Sequence, residues 1–199
     1  MIKICTIKSL ECLENIRLQV IAKKYFAGNF SLTFFVGLFV LLSISCNTQK
    51  STTSSKGTSE FYTNYSKKLG VTLNGDEDKK FIEAIVGWIG MPYVYGGESK
   101  KGTDCSGLVQ TLFKDVYNIK LKRTAYDQID DCSHVAKRNL KSRDLVFFKI
   151  NSKKISHVGI YIAKNKFIHA SLKGVMVSDI TDAYYSKYYY SGGRIKNLK

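Results

Sequence analysis

The spacing of apolar side chains changes near residue 143. Before it, apolar residues recur at helical intervals, which predicts amphipathic helices over 61–69 and 76–89 and a third from residue 105. The apolar face of the third helix consists of Leu108, Val109, Leu112, Phe113 and Val116. After residue 143 the chain is rich in β-branched and aromatic residues and mostly alternates, as strands do. The predicted strands are 144–149, 155–162, 166–171, 175–178 and 193–196. Helices followed by antiparallel strands indicate an α+β fold.

The N-terminal quarter of the chain has a different pattern. Phe30 to Ile44 is apolar and uncharged and follows a basic flank, but it is shorter than the about 20 residues of a membrane span. Residues 1–45 therefore predict an export signal. Its end at Cys46 resembles the bacterial lipoprotein signal, in which the cysteine carries the lipid, although Ser43 stands where that signal usually has Leu. An ordinary cleaved signal and an uncleaved anchor are the alternatives.

Residues 46–59 contain mainly Ser, Thr and Lys and have nothing to bury, so they predict a flexible tether. The globular domain is predicted over 60–199. A lipidated Cys46 would anchor this domain to a membrane of the cell envelope, facing the periplasm or cell wall.

Composition and charge narrow the choice of partners. The formal net charge is +15, from 31 Lys and Arg against 16 Asp and Glu. The basic residues are scattered and no basic run is interleaved with aromatics, so we expect no nucleic-acid partner. A scattered positive field suits an anionic matrix such as a cell wall or lipid headgroups. The five cysteines form no CxxC pair and have no zinc-ligand spacing with His, so we expect no metal.

Cys105 has the local setting of a reactive thiol. Asp104 is a candidate helix N-cap and Gly102 permits a tight entry, so Cys105 falls in the first turn of the third helix. Unpaired N–H groups and the positive end of the helix dipole favour a thiolate there. A small, inert, buried cysteine is the alternative, and the polar, Gly-flanked setting argues against it.

Two histidines on neighbouring predicted strands can supply a base. His157 and His169 flank a turn at 164–165, so antiparallel pairing brings them close to register on one sheet face. Together with a cysteine at a helix N-terminus they make a Cys/His catalytic layout. The alternative is a pair of half-buried strand histidines bonded to the backbone. His134 lies in the polar region 130–142 and is expected to be a solvated loop residue, and Cys132 is given no role.

Several short motifs occur in order between residues 76 and 196. They are Tyr93-Val-Tyr-Gly-Gly, Asp104-Cys-Ser-Gly, Arg123-Thr, Asp144-Leu-Val-Phe-Phe, Ser156-His-Val-Gly-Ile-Tyr and Phe167-Ile-His-Ala. Together they resemble the NlpC/P60 family of bacterial cell-wall cysteine peptidases, and within it the single-domain lipoprotein murein endopeptidases. Arg143 departs from the pattern, because the family usually has Gly before the Asp-Leu-Val-Phe-Phe strand. The resemblance implies a papain-like fold in which N-terminal helices pack on an antiparallel sheet.

The resemblance also implies the roles of individual residues. Cys105 corresponds to the nucleophile, His157 to the general base and His169 to the third polar residue, which orients the base. Tyr93 corresponds to the tyrosine near the oxyanion site. Asp104 and Ser106, which flank the nucleophile, correspond to residues that help to position the substrate peptide.

The implied activity is hydrolysis of an amide bond in or between peptidoglycan stem peptides, through an acyl-enzyme and without a cofactor. Two other classes of function stay open at this point: a papain-like acyl- or amidotransferase, and a non-catalytic, wall-binding lipoprotein. The presence of Cys105, His157 and His169 together disfavours the last of these. The expected partners are stem peptides and, through the N-terminal lipid, a membrane, and the protein is expected to be a monomer.

Overall fold

The structure is a computed structural model that describes residues 53–198. The predicted export signal, Cys46 with its predicted lipid and the first part of the predicted tether lie outside the described residues. Within residues 53–198, no helix is both long enough and apolar enough to cross a membrane.

Two helices precede the site. Helix α1 spans Thr53–Leu69 and α2 spans Lys79–Val86. Helix α1 begins before residue 61, inside the segment predicted as a tether. Its later turns are held in place by the buried side chains of Tyr62 and Leu69. The helix can extend from these turns towards its N-terminus, because each further residue adds a backbone hydrogen bond. Helix α2 begins later than predicted, because the carboxylate of Asp78 caps the N–H groups of Lys80 and Phe81.

A short hairpin, β1 (Glu98–Ser99) and β2 (Gly102–Thr103), leads into the third helix, α3. Helix α3 spans Cys105–Tyr117 and is followed by the single-turn helix α4, Ala125–Gln128. The hairpin was not predicted, because strands of two residues carry no periodicity.

The second half of the chain forms a six-stranded sheet. Its strands are β3 (Cys132–Val135), β4 (Leu145–Phe148), β5 (His157–Ala163), β6 (Lys166–Ser171), β7 (Gly174–Asp179) and β8 (Tyr189–Ile195). Their spatial order is β3-β8-β4-β5-β6-β7, and every neighbouring pair is antiparallel. The predicted α+β fold is thus confirmed. The polar region 130–142, where His134 was expected in a loop, contains β3, which pairs with a strand far along the chain.

Helix α5 (Ala183–Tyr188) lies between β7 and β8. Its side chains Tyr185 and Tyr188 pack against Phe148, Phe167 and their neighbours on one face of the sheet. Helices α1, α2 and α3 cover the opposite face, whose core includes Phe81, Leu112 and Ile160. Trp88 is also buried in that core. Because both faces are covered, all four residues of β4 are buried.

Candidate active site

The thiol of Cys105 belongs to the first residue of α3, where backbone N–H groups have no partner within the helix. Asp104 caps this helix as predicted, and its Oδ1 accepts a 2.7 Å hydrogen bond from the N–H of Gly107. A Cβ on Gly107 would overlap the carbonyl oxygen of Gly97. The preceding loop therefore packs directly on the first turn of α3 and fixes where the thiol lies.

The carboxylate of Asp104 is held by a network of donors. Arg123 meets both of its oxygens, Ser106 donates to Oδ1 at 3.1 Å, and the N–H of Gly96 donates to Oδ2 at 2.9 Å. Burial alone would raise the pKa of Asp104, but the hydrogen bonds from Arg123 and the backbone N–H groups outweigh it and lower the pKa. A carboxylate has about four acceptor positions, so these donors leave little capacity for a substrate.

Asp104 and Ser106 are both buried. The sequence predicted that both help to position the substrate peptide, whereas this geometry supports a role in holding the turn that carries Cys105. Arg123 is the residue of this network that sequence reasoning did not assign. Its side chain also forms an ion pair with Glu98 through Nε, and its only sequence signal was its place in the Arg123-Thr motif.

Tyr93 lies beside the residues that lead into α3. It forms an isolated parallel bridge with Thr103, and the carbonyl oxygen of Thr103 accepts a hydrogen bond from the N–H of Val94 at 3.1 Å. Burial raises the pKa of Tyr93, and the next contribution comes from the negative charge that Cys105 would carry as a thiolate. Tyr93 therefore keeps its proton, and it is close enough to Cys105 for a thiolate there to disfavour the loss of that proton.

The two strand histidines are directly bonded to each other. Strands β5 and β6 pair with Ile160 opposite Ile168, so His157 and His169 share a face and are offset diagonally. Nε2 of His157 lies 2.9 Å from Nδ1 of His169. The alternative interpretation, in which each ring is bonded only to backbone, is therefore wrong.

Aromatic rings surround this pair. The ring of Phe167 is stacked on His169 with centroids 4.8 Å apart, and the rings of Tyr185 and His169 meet edge to face with centroids 5.3 Å apart. Phe148 lies 6.0 Å from the His157 ring. Burial lowers the pKa of His157 to about 4, and burial together with the positive charge of His157 lowers that of His169 to about 3. Both rings are therefore neutral at neutral pH.

The pKa of the Cys105 thiol is shifted in the direction opposite to the prediction. Burial raises the pKa of Cys105 and outweighs the nearby backbone N–H groups of Val158 and Ser106, which lower it. The predicted preference for a thiolate is reversed in the free protein, because packing of α3 against the sheet removes solvent from the sulfur. The resting site therefore holds a neutral thiol and a neutral imidazole.

Val158 is the link between the thiol and the histidines, since it directly follows His157 at the start of β5. Among residues 53–198, the sulfur of Cys105 and the ring of His157 share no hydrogen bond. In the absence of substrate, catalytic hydrogen bonds are often long and tighten only when substrate binds. The arrangement can thus supply a nucleophile and a base at one end of β5.

The far side of His169 has two hydroxyl partners that sequence reasoning missed. Its Nε2 lies 2.9 Å from Oγ of Ser178 on β7 and 3.2 Å from the hydroxyl of Tyr185 on α5. No local sequence pattern identifies these two residues, because three separate elements must fold before the groups meet.

The remaining candidates lie elsewhere. Cys132 is buried, is not in a disulfide, and donates to the carbonyl oxygen of Gln128 at 3.5 Å. Burial raises its pKa to about 12, which makes it a poor nucleophile. His134 is exposed but lies on β3 and not in a loop, with Nδ1 3.0 Å from Oγ of Ser191. In the described part of the chain, no group of three or more His, Cys, Asp or Glu side chains is arranged to hold a metal ion.

Comparison with protein families relates the chain to characterised proteins. The model of the NlpC/P60 family matches residues 90–194. A probable endopeptidase of Haemophilus influenzae is 43% identical over 110 residues, which cover 54% of this chain and 68% of the relative. The murein DD-endopeptidase MepS/murein LD-carboxypeptidase of Escherichia coli K12 is 38% identical over 123 residues, which cover 61% of this chain and 65% of the relative. The chain thus spans about two thirds of the length of these relatives.

Solved structures agree with the fold. An NlpC/P60 family protein from Bacillus cereus has a TM-score of 0.54 and 27% identity, covering 58% of this chain and 39% of that one. A Staphylococcus aureus protein described as similar to a lipoprotein of the NLP/P60 family has a TM-score of 0.55 and 29% identity, covering 60% and 42%. In both comparisons the similarity spans more than half of this chain.

Proposed function

The chain belongs to the NlpC/P60 family, and from that premise we propose that it is a cysteine peptidase that hydrolyses an amide bond in peptidoglycan stem peptides. Cys105 is the nucleophile, His157 the general base and His169 the residue that orients the base. Relatives with the printed names murein DD-endopeptidase and probable endopeptidase support this substrate class.

One observation carries the proposal. Cys105, at the N-terminal turn of α3, packs against the core that includes Val158, the residue that follows His157. His157 is in turn bonded to His169 at 2.9 Å. A nucleophile, a base and a group that orients the base, in that succession, are what covalent catalysis by a thiol requires.

The chemistry proceeds in two stages. The sulfur attacks the carbonyl carbon of the amide while its proton passes to Nδ1 of His157, the ring nitrogen not engaged by His169. The imidazolium then gives this proton to the leaving nitrogen, the C–N bond breaks and a thioester remains on Cys105. A water molecule, deprotonated by His157, attacks the thioester and releases the acid, and the proton returns to the sulfur.

The developing oxyanion requires donors that are already in place. The backbone N–H of Cys105 and the hydroxyl of Tyr93 are the candidates, because burial keeps Tyr93 protonated and a negative charge on Cys105 raises its pKa further. Since the resting thiol and imidazole are both neutral, proton transfer accompanies the attack instead of preceding it.

The same proposal includes the location of the protein. An export signal over 1–45, a lipid on Cys46 and a tether over 46–59 would hold a monomeric domain at a membrane of the cell envelope, without a cofactor. The net charge of +15 favours an anionic wall as its surroundings.

Digestion of purified muropeptides followed by mass analysis tests the activity. We expect the native protein to give shortened stems or unlinked dimers, whereas transfer adducts would indicate an acyltransferase and unchanged muropeptides a binding protein. Cys105→Ala should abolish digestion, and Cys132→Ala is the matched control that should retain it. Iodoacetamide should remove the activity and EDTA should not, and full digestion by Cys105→Ala would contradict the proposal.

A further inference from the structure

The hydroxyls of Ser178 and Tyr185 converge on the one nitrogen of His169 that does not face His157. Oγ of Ser178 is 2.9 Å and the hydroxyl of Tyr185 is 3.2 Å from Nε2 of His169. A buried imidazole nitrogen thus ends in a small cluster of hydroxyl groups on two different elements.

The proposed role of His157 as a base determines whether Nε2 of His169 carries a proton. Nε2 of His157 is bonded to His169, so Nδ1 is the His157 nitrogen that must accept the thiol proton. A neutral imidazole with a lone pair on Nδ1 carries its proton on Nε2 and donates it to Nδ1 of His169. His169 then carries its own proton on Nε2 and needs an acceptor there.

The opposite arrangement would disable the site. If the hydroxyl of Ser178 donated to Nε2 of His169, the proton of His169 would lie on Nδ1 and point at His157. His157 would then carry its proton on Nδ1, facing the thiol, and would have no lone pair with which to take another. The two arrangements differ only in the direction of the hydrogen bonds that link Ser178, His169 and His157.

We propose that Ser178 is a positioning residue that accepts the Nε2–H of His169, and that the hydroxyl of Tyr185 is a second acceptor for the same N–H. A hydroxyl oxygen has two lone pairs, so each of the two groups can accept this hydrogen bond. The outcome is that both histidines hold the tautomer in which His157 can act as a base. This inference rests on the proposed function of the same site.

The charges during the reaction agree with this assignment. When His157 takes the thiol proton it becomes an imidazolium that still donates from Nε2 to His169. His169 stays neutral, with its Nε2–H donated to Ser178, so no proton moves beyond His157. The burial that disfavours protonation of His169 keeps the positive charge on His157, where the leaving nitrogen can collect the proton.

The tautomers can be measured without turnover. The protein contains three histidines, so long-range 15N–1H correlation spectra of the substrate-free protein give few signals, which His→Gln variants assign. We expect His157 and His169 both to show the pattern of a protonated Nε2 and an unprotonated Nδ1. A protonated Nδ1 on His157 in the native protein would overturn the inference.

Variants then separate positioning from packing. Ser178→Ala should move part of both histidines to the Nδ1-protonated form, lower kcat by about 10- to 100-fold with little change in KM, and slow alkylation of Cys105 at pH 7. Ser178→Thr, which keeps a hydroxyl, should retain the native tautomers, the native kcat and the native alkylation rate. Tyr185→Phe keeps the ring that packs on Phe167 and should have a smaller effect in the same direction.

Tyr188→Phe is the matched control, because this tyrosine is on the same helix but its hydroxyl is bonded to Asn151. It should leave tautomers and kcat unchanged. A loss of activity in Ser178→Ala with unchanged tautomers would indicate a merely structural role and overturn the inference. Absence of peptidase activity in the native protein would instead refute the proposed function, because the spectra and the alkylation rates do not depend on the substrate.

Discussion

Arg123 meets Asp104 with both terminal nitrogens, Nη1 at 3.1 Å from Oδ1 and Nη2 at 2.8 Å from Oδ2. Asp104 is also the N-cap of α3. The position of Cys105 therefore depends on an ion pair formed with a residue beyond the C-terminus of its own helix. A bidentate pair of this kind fixes orientation as well as distance.

Replacement of Arg123 by Ala should destabilise the fold and misplace the thiol. It leaves the buried carboxylate of Asp104 without its cation, and since Arg123 is partly exposed we expect a loss of about 1–3 kcal/mol in the free energy of unfolding. Urea denaturation measures this loss. Lys122→Ala is the control, because its ion pair with Asp130 is exposed, and its midpoint should stay near that of the native protein. Equal midpoints for both variants would show that the Asp104 pair does not support the fold.

The alkylation rate of Cys105 should rise with pH from neutral into the alkaline range. Burial raises the pKa of the thiol and lowers that of His157 to about 4, so both groups are neutral at rest. Iodoacetamide labelling across pH 5 to 10, followed by peptide mass analysis, tests this. The control is Cys105→Ala, in which the buried Cys132 should stay unlabelled. A labelling rate that is high and constant down to acidic pH would mean a stable thiolate–imidazolium pair instead.

The free energy of unfolding should fall as the pH drops from about 6.5 towards 4. Both buried histidines have a lowered pKa in the folded state, His157 to about 4 and His169 to about 3, so in this range the unfolded chain binds more protons. Each histidine contributes a slope of up to about 1.4 kcal/mol per pH unit. Chemical denaturation at several pH values measures the slope.

His169→Gln should reduce that slope, because one buried group that titrates is removed. His134→Gln, a change at the exposed histidine of β3, is the control for replacing a histidine outside the buried pair. If His169→Gln and the native protein gave parallel curves, the histidine pair would not be the source of the acid sensitivity.

Gly159→Ala should disturb the histidine pair through overpacking. A Cβ at this position of β5 would lie 2.5 Å from the ring of Phe167 and 2.8 Å from the carbonyl oxygen of Ile168. Phe167 is stacked on His169, so its displacement should lower kcat and also destabilise the fold by about 1–3 kcal/mol. Thermal unfolding and muropeptide digestion measure the two effects.

Gly57→Ala provides the comparison for that variant. No other group lies within 4 Å of the Cβ that it would add in α1, and Ala is favoured over Gly in a helix by about 0.5–1 kcal/mol. We expect unchanged activity and equal or greater stability. A Gly159→Ala variant that behaved like Gly57→Ala would show that Phe167 can move without affecting His169.

Local patterns were sufficient for the elements that carry the proposed nucleophile and base. Asp104 and the apolar face of α3 are adjacent in sequence, and β5 and β6 are joined by a short turn, so their pairing follows from the alternation of apolar residues. Strand β3 was missed because its centre is polar and its partner, β8, lies far along the chain. The partners of His169 were missed for the same reason, since Ser178 and Tyr185 approach it only after β7 and α5 have folded.

The sign of the thiol pKa shows a different limit of local reasoning. A cysteine in the first turn of a helix predicts a lowered pKa, because the N–H groups and the helix dipole are local. Burial depends on what the helix packs against, and here it outweighs the local groups and raises the pKa of Cys105. A sequence pattern describes the neighbours along the chain and not the solvent that the fold removes.

Strand β8 lies between β3 and β4, although it is the last strand along the described chain. During synthesis, β3 and one edge of β4 cannot pair with β8 until residues 189–195 have been made. These late, long-range pairings are slow to form. A polypeptide interrupted before that point would expose two unpaired strand edges and would be prone to aggregate. If the chain is exported as proposed above, folding after export agrees with this order of events, because the sheet closes last.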